Sequence, residues 1–397
     1  MKRYKQGNFN LVYFMKEKPT VSVIIPTYNE KENIPILIKK LETVLSKYTY
    51  EILIVDDNSP DLTWETAEKL AEKNPRIRVM RRISERGLSS AVVSGMSAAS
   101  GDYFAVMDAD LQHDEAILPS MIEEMRKGGC DICVGSRTVS GGGYGEWSKI
   151  RLFMSKAATL LTRIMLPVPV NDPMSGYFII TRKLFHQSAE KINPRGFKIL
   201  MEFIGRNPGI KVKETGFTFR TRQYGETKLS GSVIRNFLIS LYDIRFGKFI
   251  SYQFLLYALV GSTGVFVNLG GFFLGEMMGL PVIHTGMLGN LDPLYFSVLF
   301  GIEISILSNY ILNNFITFYE YRHKGKSMIS GFFFFQLISI VGLLVQTGVF
   351  LLFQNNGFFT DLIADEALRK IFNNLLGIIA ATATNYFLNV NITWKQR

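Results

Sequence analysis

The chain has 397 residues, of which 47% are hydrophobic and 20% are charged, and its formal net charge is +10. This length favours two domains, and this composition excludes a disordered chain. The two cysteines exclude a disulfide scaffold, whereas the positive charge indicates an anionic partner such as nucleic acid, phospholipid or a phosphorylated ligand.

The sequence divides into four predicted segments. Residues 1–19 form a leader without a structural signal, and residues 20–228 mix charged and apolar side chains throughout. Residues 229–249 have apolar side chains at helical spacing with basic residues beside them, which predicts an amphipathic helix on a membrane surface. Residues 250–397 contain long apolar runs with few charges, which predict a transmembrane domain of four helices.

Within residues 20–228, short β-branched runs alternate with helical patterns. This alternation predicts an α/β domain with a Rossmann-like, mostly parallel sheet that is covered by helices on both faces. The predicted elements are the strands Val21–Ile25, Glu51–Val55, Arg76–Met80 and Tyr103–Met107 and the helices Glu30–Ser46, Leu62–Lys73 and Leu88–Ala99. Ligands of such sheets bind beyond the carboxyl ends of the strands, so we expect the site there.

Acidic residues follow two of these strands at the point where each strand ends. Asp56 and Asp57 follow the second strand, and Asp108 and Asp110 follow the fourth in an Asp-x-Asp pattern. Two carboxylates this close repel each other unless a cation or solvent lies between them. Because oxygen ligands suit Mg²⁺ or Mn²⁺, we predict a metal site at Asp108 and Asp110 that bridges to substrate phosphates. Gln112 is expected to be a further ligand or a supporting group.

The histidines and cysteines predict no separate metal centre. The four histidines are scattered along the chain, and His113 fits an ordinary turn residue as well as a functional one. Cys130 and Cys133 have Cys-x-x-Cys spacing, but they lie in a predicted strand, Cys130–Val134, where residues three apart point to opposite faces. A redox or zinc role is therefore disfavoured.

Four apolar runs after residue 250 each approach the ~20 residues that cross a bilayer core. They are Phe254–Leu274, Leu294–Phe318, Gly331–Phe353 and Ile371–Ile392. The first loop, Glu276–Pro293, has no Lys or Arg, whereas the second, Glu320–Lys326, carries several. Basic residues also stand before the first span and after the last. Since cytoplasmic loops carry the excess of Lys and Arg, both ends, the second loop and the soluble domain are predicted to be cytoplasmic.

Several motifs together resemble the family 2 glycosyltransferases with a GT-A fold. They are Val21–Glu30, Val55–Ser59, Gly101–Tyr103 and Met107–His113. Within that family, Gly135–Arg137, Asn171–Tyr177 and Arg220–Ser230 resemble the dolichyl-phosphate mannose synthases. The resemblance covers about residues 20 to 230, and the four-span tail resembles the GtrA-like membrane domain.

The resemblance implies a nucleotide-sugar donor, GDP-mannose, and an acceptor in the bilayer, dolichyl or another polyprenyl phosphate. Its motifs assign the nucleoside to Pro26, Tyr28, Glu30 and Asp57 with Asp56 in support, and the metal and diphosphate to Asp108 and Asp110 with Gln112 close by. Family 2 enzymes that extend polysaccharides carry a Gln-x-x-Arg-Trp motif. None of the three tryptophans, Trp64, Trp147 and Trp394, stands in such a motif, so a polysaccharide synthase is disfavoured.

A phosphate acceptor needs a positive cradle more than a general base, because a phosphate monoester is largely dianionic at pH 7. The candidates are Arg137, Arg151, Arg220, Arg222 and Lys228. Of these, Arg137, Arg222 and Lys228 are favoured for phosphate binding over a solvated basic face, with hydrogen bonds from Ser136 and Ser230. We expect Asp108, Asp110 and Arg222 to be catalytic, in a single inverting displacement that gives a β-linked product from an α-linked donor.

Three alternatives remain open on sequence alone. The donor could be UDP-glucose, which would make the enzyme a polyprenyl-phosphate glucosyltransferase. The membrane domain could be a lipid-sugar flippase or a scaffold, in which case its polar residues should converge on one groove. Those residues are Glu303, Asn268, Asn309, Asn313, Asn314, Asn385 and Asn389. Nucleic acid is disfavoured as a partner, because no binding motif is present and the basic residues flanking the spans explain much of the charge.

Overall fold

The computed structural model describes residues 18–166, 168–193, 198–221, 231–283 and 294–395. The chain divides into two compact units, one ending at Lys248 and the other beginning at Phe249. We call them the catalytic unit and the membrane unit and describe each by itself. Arg222, Lys228 and Ser230 lie outside the described residues.

The catalytic unit alternates strands and helices along the chain. Its strands are β1 (Val21–Thr27), β2 (Tyr50–Asp56), β3 (Ile77–Arg81), β4 (Tyr103–Val106), β5 (Ile132–Ser136), β6 (Phe178–Thr181) and β7 (Val212–Gly216). Its helices are α1 (Asn33–Val44), α2 (Thr63–Ala71), α3 (Leu88–Ala98), α4 (Leu118–Arg126), α5 (Lys149–Met165), α6 (Arg182–Ser188), α7 (Ile199–Arg206) and α8 (Gly231–Phe246). The four predicted strands and three predicted helices of the first half are confirmed.

The seven strands form one sheet in the order β3-β2-β1-β4-β6-β5-β7. Only β6 runs antiparallel to its neighbours, β4 and β5. The sheet is buried on both faces: one hydrophobic cluster includes side chains of α1 and α4, and the other includes side chains of α3, α6 and α7. This explains the near-continuous apolar runs of β1 and β2, which are typical of parallel strands covered on both sides.

One local prediction in this unit is wrong. The strand expected over Cys130–Val134 begins only at Ile132, so Cys130 lies in the preceding loop. The two-residue period of a strand therefore does not apply between the cysteines, and both thiols are buried in the same hydrophobic cluster. Burial raises the pKa of Cys133 to about 11, which leaves its thiol protonated and unreactive at neutral pH.

The membrane unit contains four helices that are long and apolar enough to cross a bilayer, as predicted from the four apolar runs. They are α9 (Tyr252–Met277), α10 (Phe296–Leu312), α11 (Ser327–Asn355) and α12 (Glu366–Leu388). Two short strands, β8 (Val282–Ile283) and β9 (Leu294–Tyr295), pair between α9 and α10. α9 packs along α10 and α11 packs along α12, so the unit consists of two hairpins. α10 and α12 each continue into one π-helical turn, Asn313–Thr317 and Asn389–Thr393.

Candidate active site

The Asp-x-Asp pattern forms the turn that follows β4. The backbone N–H of Gln112 donates to Oδ1 of Asp110 at 3.1 Å, and Leu111 adopts a positive φ of 62° within this turn. The side-chain amide of Gln112 donates to the carbonyl of Arg220 at 3.0 Å. Asp108, Asp110 and Gln112 all line one cavity at this end of the sheet. The Asp-x-Asp pattern and Gln112 therefore belong to one site, at the carboxyl end of the strand, where the sequence predicted it.

His113 holds the first carboxylate of the pattern. Its Nδ1 accepts the backbone N–H of Asp108 at 3.1 Å, and its Nε2 lies 3.7 Å from Oδ2 of that residue. The ring is buried and stacks on Tyr177 with 5.0 Å between centroids. Burial lowers the pKa of His113 to about 4, so the ring is neutral at physiological pH and its Nε2–H faces the carboxylate. His113 is thus a positioning residue, which the sequence pattern alone did not distinguish from a turn residue.

Arg137 is held in place by a buried carboxylate that sequence reasoning did not assign. Its Nε and a terminal nitrogen each donate to Asp172 at 2.7 Å, and its backbone N–H adds a third bond at 3.1 Å. The Arg137 side chain is 8% exposed and that of Asp172 is 1% exposed. Burial alone would raise the pKa of Asp172, but the hydrogen bonds and the charge of Arg137 outweigh burial, so the net pKa is lowered. The guanidinium lines the cavity in one fixed orientation.

Lys198, which the sequence did not single out, brings a further cation to the same cavity. Its Nζ donates to the carbonyl of Met174 at 3.1 Å. Burial, and then the charge of Arg137, lower its pKa to about 8, while the nearby Asp172 and Asp108 act in the opposite direction. A lysine just before an apolar helix gives no local signal of this role, because only the tertiary fold brings it near Asp108.

The residues expected to hold a nucleoside lie at the other side of the acidic turn. Pro26, Tyr28, Glu30 and Asp57 all line the cavity. Asp57 accepts from Nε of Arg82 at 2.7 Å and from the backbone N–H of Gly87 at 2.7 Å. This carboxylate therefore ties the segment after β3 to the cavity wall. The fold brings the group together, and its contacts with a nucleoside stay a prediction.

Two predicted site residues do not reach the cavity surface. Asp56 is fully buried and accepts hydrogen bonds from Thr27 and Ser59, so any contribution it makes is to the shape of the turn after β2. Ser136 is also fully buried, and its hydroxyl lies 3.1 Å from that of Thr138. The expected direct hydrogen bond from Ser136 to a phosphate is corrected for this reason.

The basic residues predicted to bind the acceptor phosphate also differ in whether they line the cavity. Arg151 lines the cavity, with its guanidinium 3.9 Å from the centre of the Trp147 ring. Arg220 forms ion pairs with Asp114 at 2.6 Å and Glu115 at 2.5 Å and is not among the residues that line the cavity, unlike Arg137. Among the described candidates, Arg137 and Arg151 therefore remain positioned for an anion, and the expectations for Arg222 and Lys228 lie outside the described residues.

The cavity has a volume of about 1130 Å³ and two chemically different ends. The polar end contains the carboxylates and cations described above. The other end is an apolar trough between α5 and α8, lined by Phe153, Met154, Ala157, Ala158, Leu161, Val233, Ile234, Phe237 and Leu238. Such a cavity suits an amphiphile whose anionic head meets the acidic turn and whose chain lies between the two helices.

α5 also exposes apolar side chains away from the trough. Ile150, Leu160 and Ile164 are between 60% and 74% exposed, and basic residues stand beside them on the same helix. α8, predicted as an interface helix, likewise exposes Phe246 outside the trough. The apolar periodicity of α5 was present in the sequence but was not used to predict a second surface helix.

The acidic turn can hold a divalent metal only with help from a ligand. Among the residues that the structure describes, no cluster of three or more His, Cys, Asp or Glu side chains could bind a metal by itself. Asp108 and Asp110 supply hard oxygen atoms at the cavity wall, which fits Mg²⁺ or Mn²⁺ if phosphate oxygens and water complete the coordination shell. This is the donor set expected for a metal that binds together with a diphosphate.

Both parts of the chain match known protein families. Residues 22–188 match the family described as glycosyl transferase family 2, and residues 256–394 match the GtrA/DPMS transmembrane domain. These matches and the seven-stranded sheet confirm the predicted GT-A-like fold class with its four-helix transmembrane domain. The chain is therefore a membrane protein.

One similar protein matches nearly the whole chain, and others match a little more than half of it. A dolichol-phosphate mannosyltransferase of Pyrococcus furiosus is 37% identical over 94% of this chain and 99% of its own length. That of Saccharomyces cerevisiae is 37% identical over 59% of this chain and 91% of its own length. A solved structure of glucosyl-3-phosphoglycerate synthase from Mycobacterium tuberculosis, with Mn²⁺ and UDP, has a TM-score of 0.44 at 20% identity. The match covers 57% of this chain and 80% of that one. The chain belongs to the dolichol-phosphate mannosyltransferases, a group of family 2 glycosyltransferases.

Proposed function

We propose that this enzyme transfers mannose from GDP-mannose to dolichyl or another polyprenyl phosphate at the cytoplasmic face of a membrane. The observation that carries the proposal is the single cavity that joins the acidic turn after β4 to the apolar trough between α5 and α8. Such a cavity can hold a nucleotide sugar and a lipid phosphate together, which a transfer between them requires. The names of the relatives support mannose as the sugar and dolichyl phosphate as the acceptor.

The donor binds along the acidic side of the cavity in this proposal. Pro26, Tyr28, Glu30 and Asp57 contact the nucleoside, and the diphosphate lies toward Asp108 and Asp110. His113 keeps the Asp108 carboxylate oriented toward the cavity. These contacts would serve a guanine or a uracil nucleotide, so UDP-glucose is the competing donor in the test below.

The acceptor phosphate binds between the fixed cations. Arg137, held by Asp172, and Arg151, stacked on Trp147, line the region between the acidic turn and the trough. Lys198 adds a third positive charge, and Arg222 and Lys228 are expected to join them. Because the phosphate is already largely dianionic at pH 7, these residues need to bring two anions together rather than remove a proton.

Asp108 and Asp110, with Gln112 beside them, would hold Mg²⁺ or Mn²⁺. When bound, the metal would offset the negative charge that develops on the departing nucleoside diphosphate. A phosphate oxygen that approaches the anomeric carbon from the acceptor side, opposite the diphosphate, inverts the configuration. An α-linked donor therefore gives a β-linked lipid phosphate mannose.

The orientation rests on the distribution of basic residues. Arg245 and Lys248 precede α9, and Arg322, Lys324 and Lys326 lie between α10 and α11. Such residues concentrate on the cytoplasmic side of membrane proteins. The apolar side chains exposed on α5 and α8 would then rest in the cytoplasmic headgroup region, where the acceptor phosphate lies.

The test uses the full chain in lipid nanodiscs that contain dolichyl phosphate. GDP-mannose and UDP-glucose, each labelled in the sugar, are supplied separately with Mg²⁺, with Mn²⁺ and with EDTA, and label in the lipid fraction is counted. We expect transfer from GDP-mannose that requires the metal and the lipid phosphate. Transfer from UDP-glucose alone would overturn the proposed donor, and undiminished transfer in EDTA would overturn the metal.

A further inference from the structure

The membrane unit contains an internal repeat. α10 and its π-helical turn end in Asn309-Tyr-Ile-Leu-Asn-Asn-Phe-Ile-Thr-Phe318, and α12 with its turn ends in Asn385-Tyr-Phe-Leu-Asn-Val-Asn-Ile-Thr-Trp394. Asn, Tyr, Leu, Asn, Ile and Thr recur at the same six positions and are followed by an aromatic residue. The two helices also end in the same rare geometry, since both π-helical turns begin at the second Asn of the pattern.

The contacts within each hairpin repeat as well. Gly264 of α9 packs against the side chain of Asn309, and Gly342 of α11 packs against that of Asn385. Further along, Gly301 meets the backbone carbonyl of Asn268. The equivalent glycine of the other hairpin, Gly377, meets the carbonyl of Gln346. Small residues that let two helices approach closely are typical of membrane helix packing, and here they occupy matching positions.

The contacts between the hairpins are reciprocal. Tyr310 packs on Phe332 and Phe335 of α11, at 5.5 and 5.7 Å between ring centroids. Tyr386 packs on the equivalent Phe254 and Tyr257 of α9, at 5.2 and 5.6 Å. At the centre Phe318 stacks on its own counterpart, Trp394, at 4.3 Å. Reciprocal contacts with a self-paired centre are those of a two-fold axis, so the unit is two like hairpins related by an approximate two-fold rotation.

The approximate symmetry makes two grooves equivalent, one between α10 and α11 and the other between α9 and α12. The first contains an exposed polar pair, in which the amide of Gln336 donates to both carboxyl oxygens of Glu303 at 3.0 and 2.9 Å. In the second, the amide of Asn389 donates to the hydroxyl of Tyr257 at 3.1 Å, and this pair is buried. The positions of the second groove that are equivalent to Gln336 and Glu303 are Ala258 and Ile379. Glu303 is exposed and Gln336 is half-buried on the surface of the unit, among exposed apolar side chains such as Ile302 and Leu337.

A carboxyl group on the outer surface of a membrane helix is expensive and normally has a partner. We propose that the groove between α10 and α11 is an interface for a second copy of this chain. Gln336 keeps a second N–H as a donor, and the carboxyl oxygens of Glu303 can each accept a further hydrogen bond. In a two-fold pairing each second N–H meets the carboxyl group of Glu303 in the partner, so the surface complements itself. The hairpins already pack in this two-fold manner within one chain.

Cross-linking through a matched pair of isoleucines tests this interface. Ile302 and Ile378 are equivalent residues in the two grooves, with exposures of 39% and 42%. Ile302→Cys and Ile378→Cys variants of the full chain are reconstituted separately in dilute phosphatidylcholine vesicles and treated with a short thiol cross-linker. We expect a dimer band for Ile302→Cys and only the background of random collisions for Ile378→Cys. Equal cross-linking of the two variants would overturn the proposed interface.

Dilution in lipid measures the strength of the association. Two populations of the chain, each labelled with one dye of a resonance energy transfer pair, are reconstituted over a range of protein-to-lipid ratios. Glu303→Leu with Gln336→Leu should weaken the association roughly tenfold or more, because two symmetry-related polar contacts are lost, whereas Glu303→Gln keeps them. Circular dichroism and elution as a single species establish that each variant is folded. Energy transfer no higher than random in the unsubstituted chain, or unchanged in the double leucine variant, would contradict the proposal.

Discussion

The two units of this protein use polar side chains in opposite ways. In the catalytic unit carboxylates and cations from six or more separate segments line one cavity, and buried groups such as His113 and Asp172 hold them in place. In the membrane unit the polar residues join one helix or turn to another. Glu303 meets Gln336 and Asn309 meets Gly264, whereas Asn314 accepts from His323 and Trp394. Such contacts between elements indicate packing, and a lipid-sugar path through this unit stays a prediction.

The largest expected effect falls on the acidic turn. Asp110→Asn removes a charge where a metal and a diphosphate would bind but keeps the size of the side chain. We expect mannose transfer at saturating Mg²⁺ or Mn²⁺ to fall by about a hundredfold to a thousandfold. Asp361→Asn, a conservative change at an exposed position of the membrane unit, serves as the control and should keep full activity. Near-normal turnover of Asp110→Asn would remove the acidic turn from the mechanism.

The second largest effect is expected from Asp172, which holds Arg137 in place at the predicted phosphate site. Asp172→Asn leaves the buried guanidinium of Arg137 without its counter-charge, which costs about 3 kcal/mol in the free energy of unfolding. The misplaced guanidinium should also raise the KM for the lipid phosphate. Glu65→Gln breaks an exposed ion pair with Lys69 and should leave the free energy of unfolding nearly unchanged. Equal changes in the two denaturation curves would show that the buried pair has no special role.

A smaller effect is expected in the pH profile. Lys198, with a pKa lowered to about 8, loses its positive charge as the pH rises through that value, so it attracts phosphates less strongly on the alkaline side. Transfer by the unsubstituted enzyme should therefore decline above about pH 8. Arginine stays protonated throughout this range. Lys198→Arg should extend activity to higher pH, and an identical alkaline decline in both enzymes would exclude Lys198 as its source.

The smallest effect on catalysis is expected from the two equivalent asparagines. Asn309→Ala and Asn385→Ala each remove a side chain that packs on a glycine of the neighbouring helix. Both variants should lower the thermal stability of the chain in detergent, each by a contact worth about 1 kcal/mol, and both should keep the transfer rate. A selective loss of transfer in one of them would show that the membrane unit takes part in the reaction.

The sequence predicted the parts of the site that depend on short-range order. Asp108 and Asp110 follow an apolar strand directly, so the strand period and the topology of parallel sheets indicated their position. Arg137 was found in the same way at the end of a strand. The four spans were predicted because length and hydropathy alone define a membrane helix.

Groups that act through tertiary contacts were missed. Asp172 lies in the Asn171–Tyr177 motif, but its partner, Arg137, is 35 residues away in the sequence, so the pattern gave no sign of their contact. Lys198 gains its lowered pKa from burial and from the charge of Arg137, which only the tertiary fold brings about. Ser136 ends a strand whose side chains are all buried, and the sequence pattern did not indicate that burial continues to this last residue. The repeat of the membrane unit was not predicted because the clearest match is confined to one short segment of each hairpin, and the remaining equivalences become evident through contacts.

The central claim is that one cavity holds both the lipid chain and the nucleotide sugar. Leu238→Asp places a carboxylate in the trough on α8, and Ile36→Asp makes the same change at a similarly exposed position of α1 outside the cavity. Steady-state mannose transfer is measured while dolichyl phosphate and GDP-mannose are varied in turn. We predict that Leu238→Asp raises the KM for the lipid phosphate by about tenfold or more, with an unchanged KM for GDP-mannose and no effect of Ile36→Asp. An unchanged KM for the lipid phosphate would contradict the account.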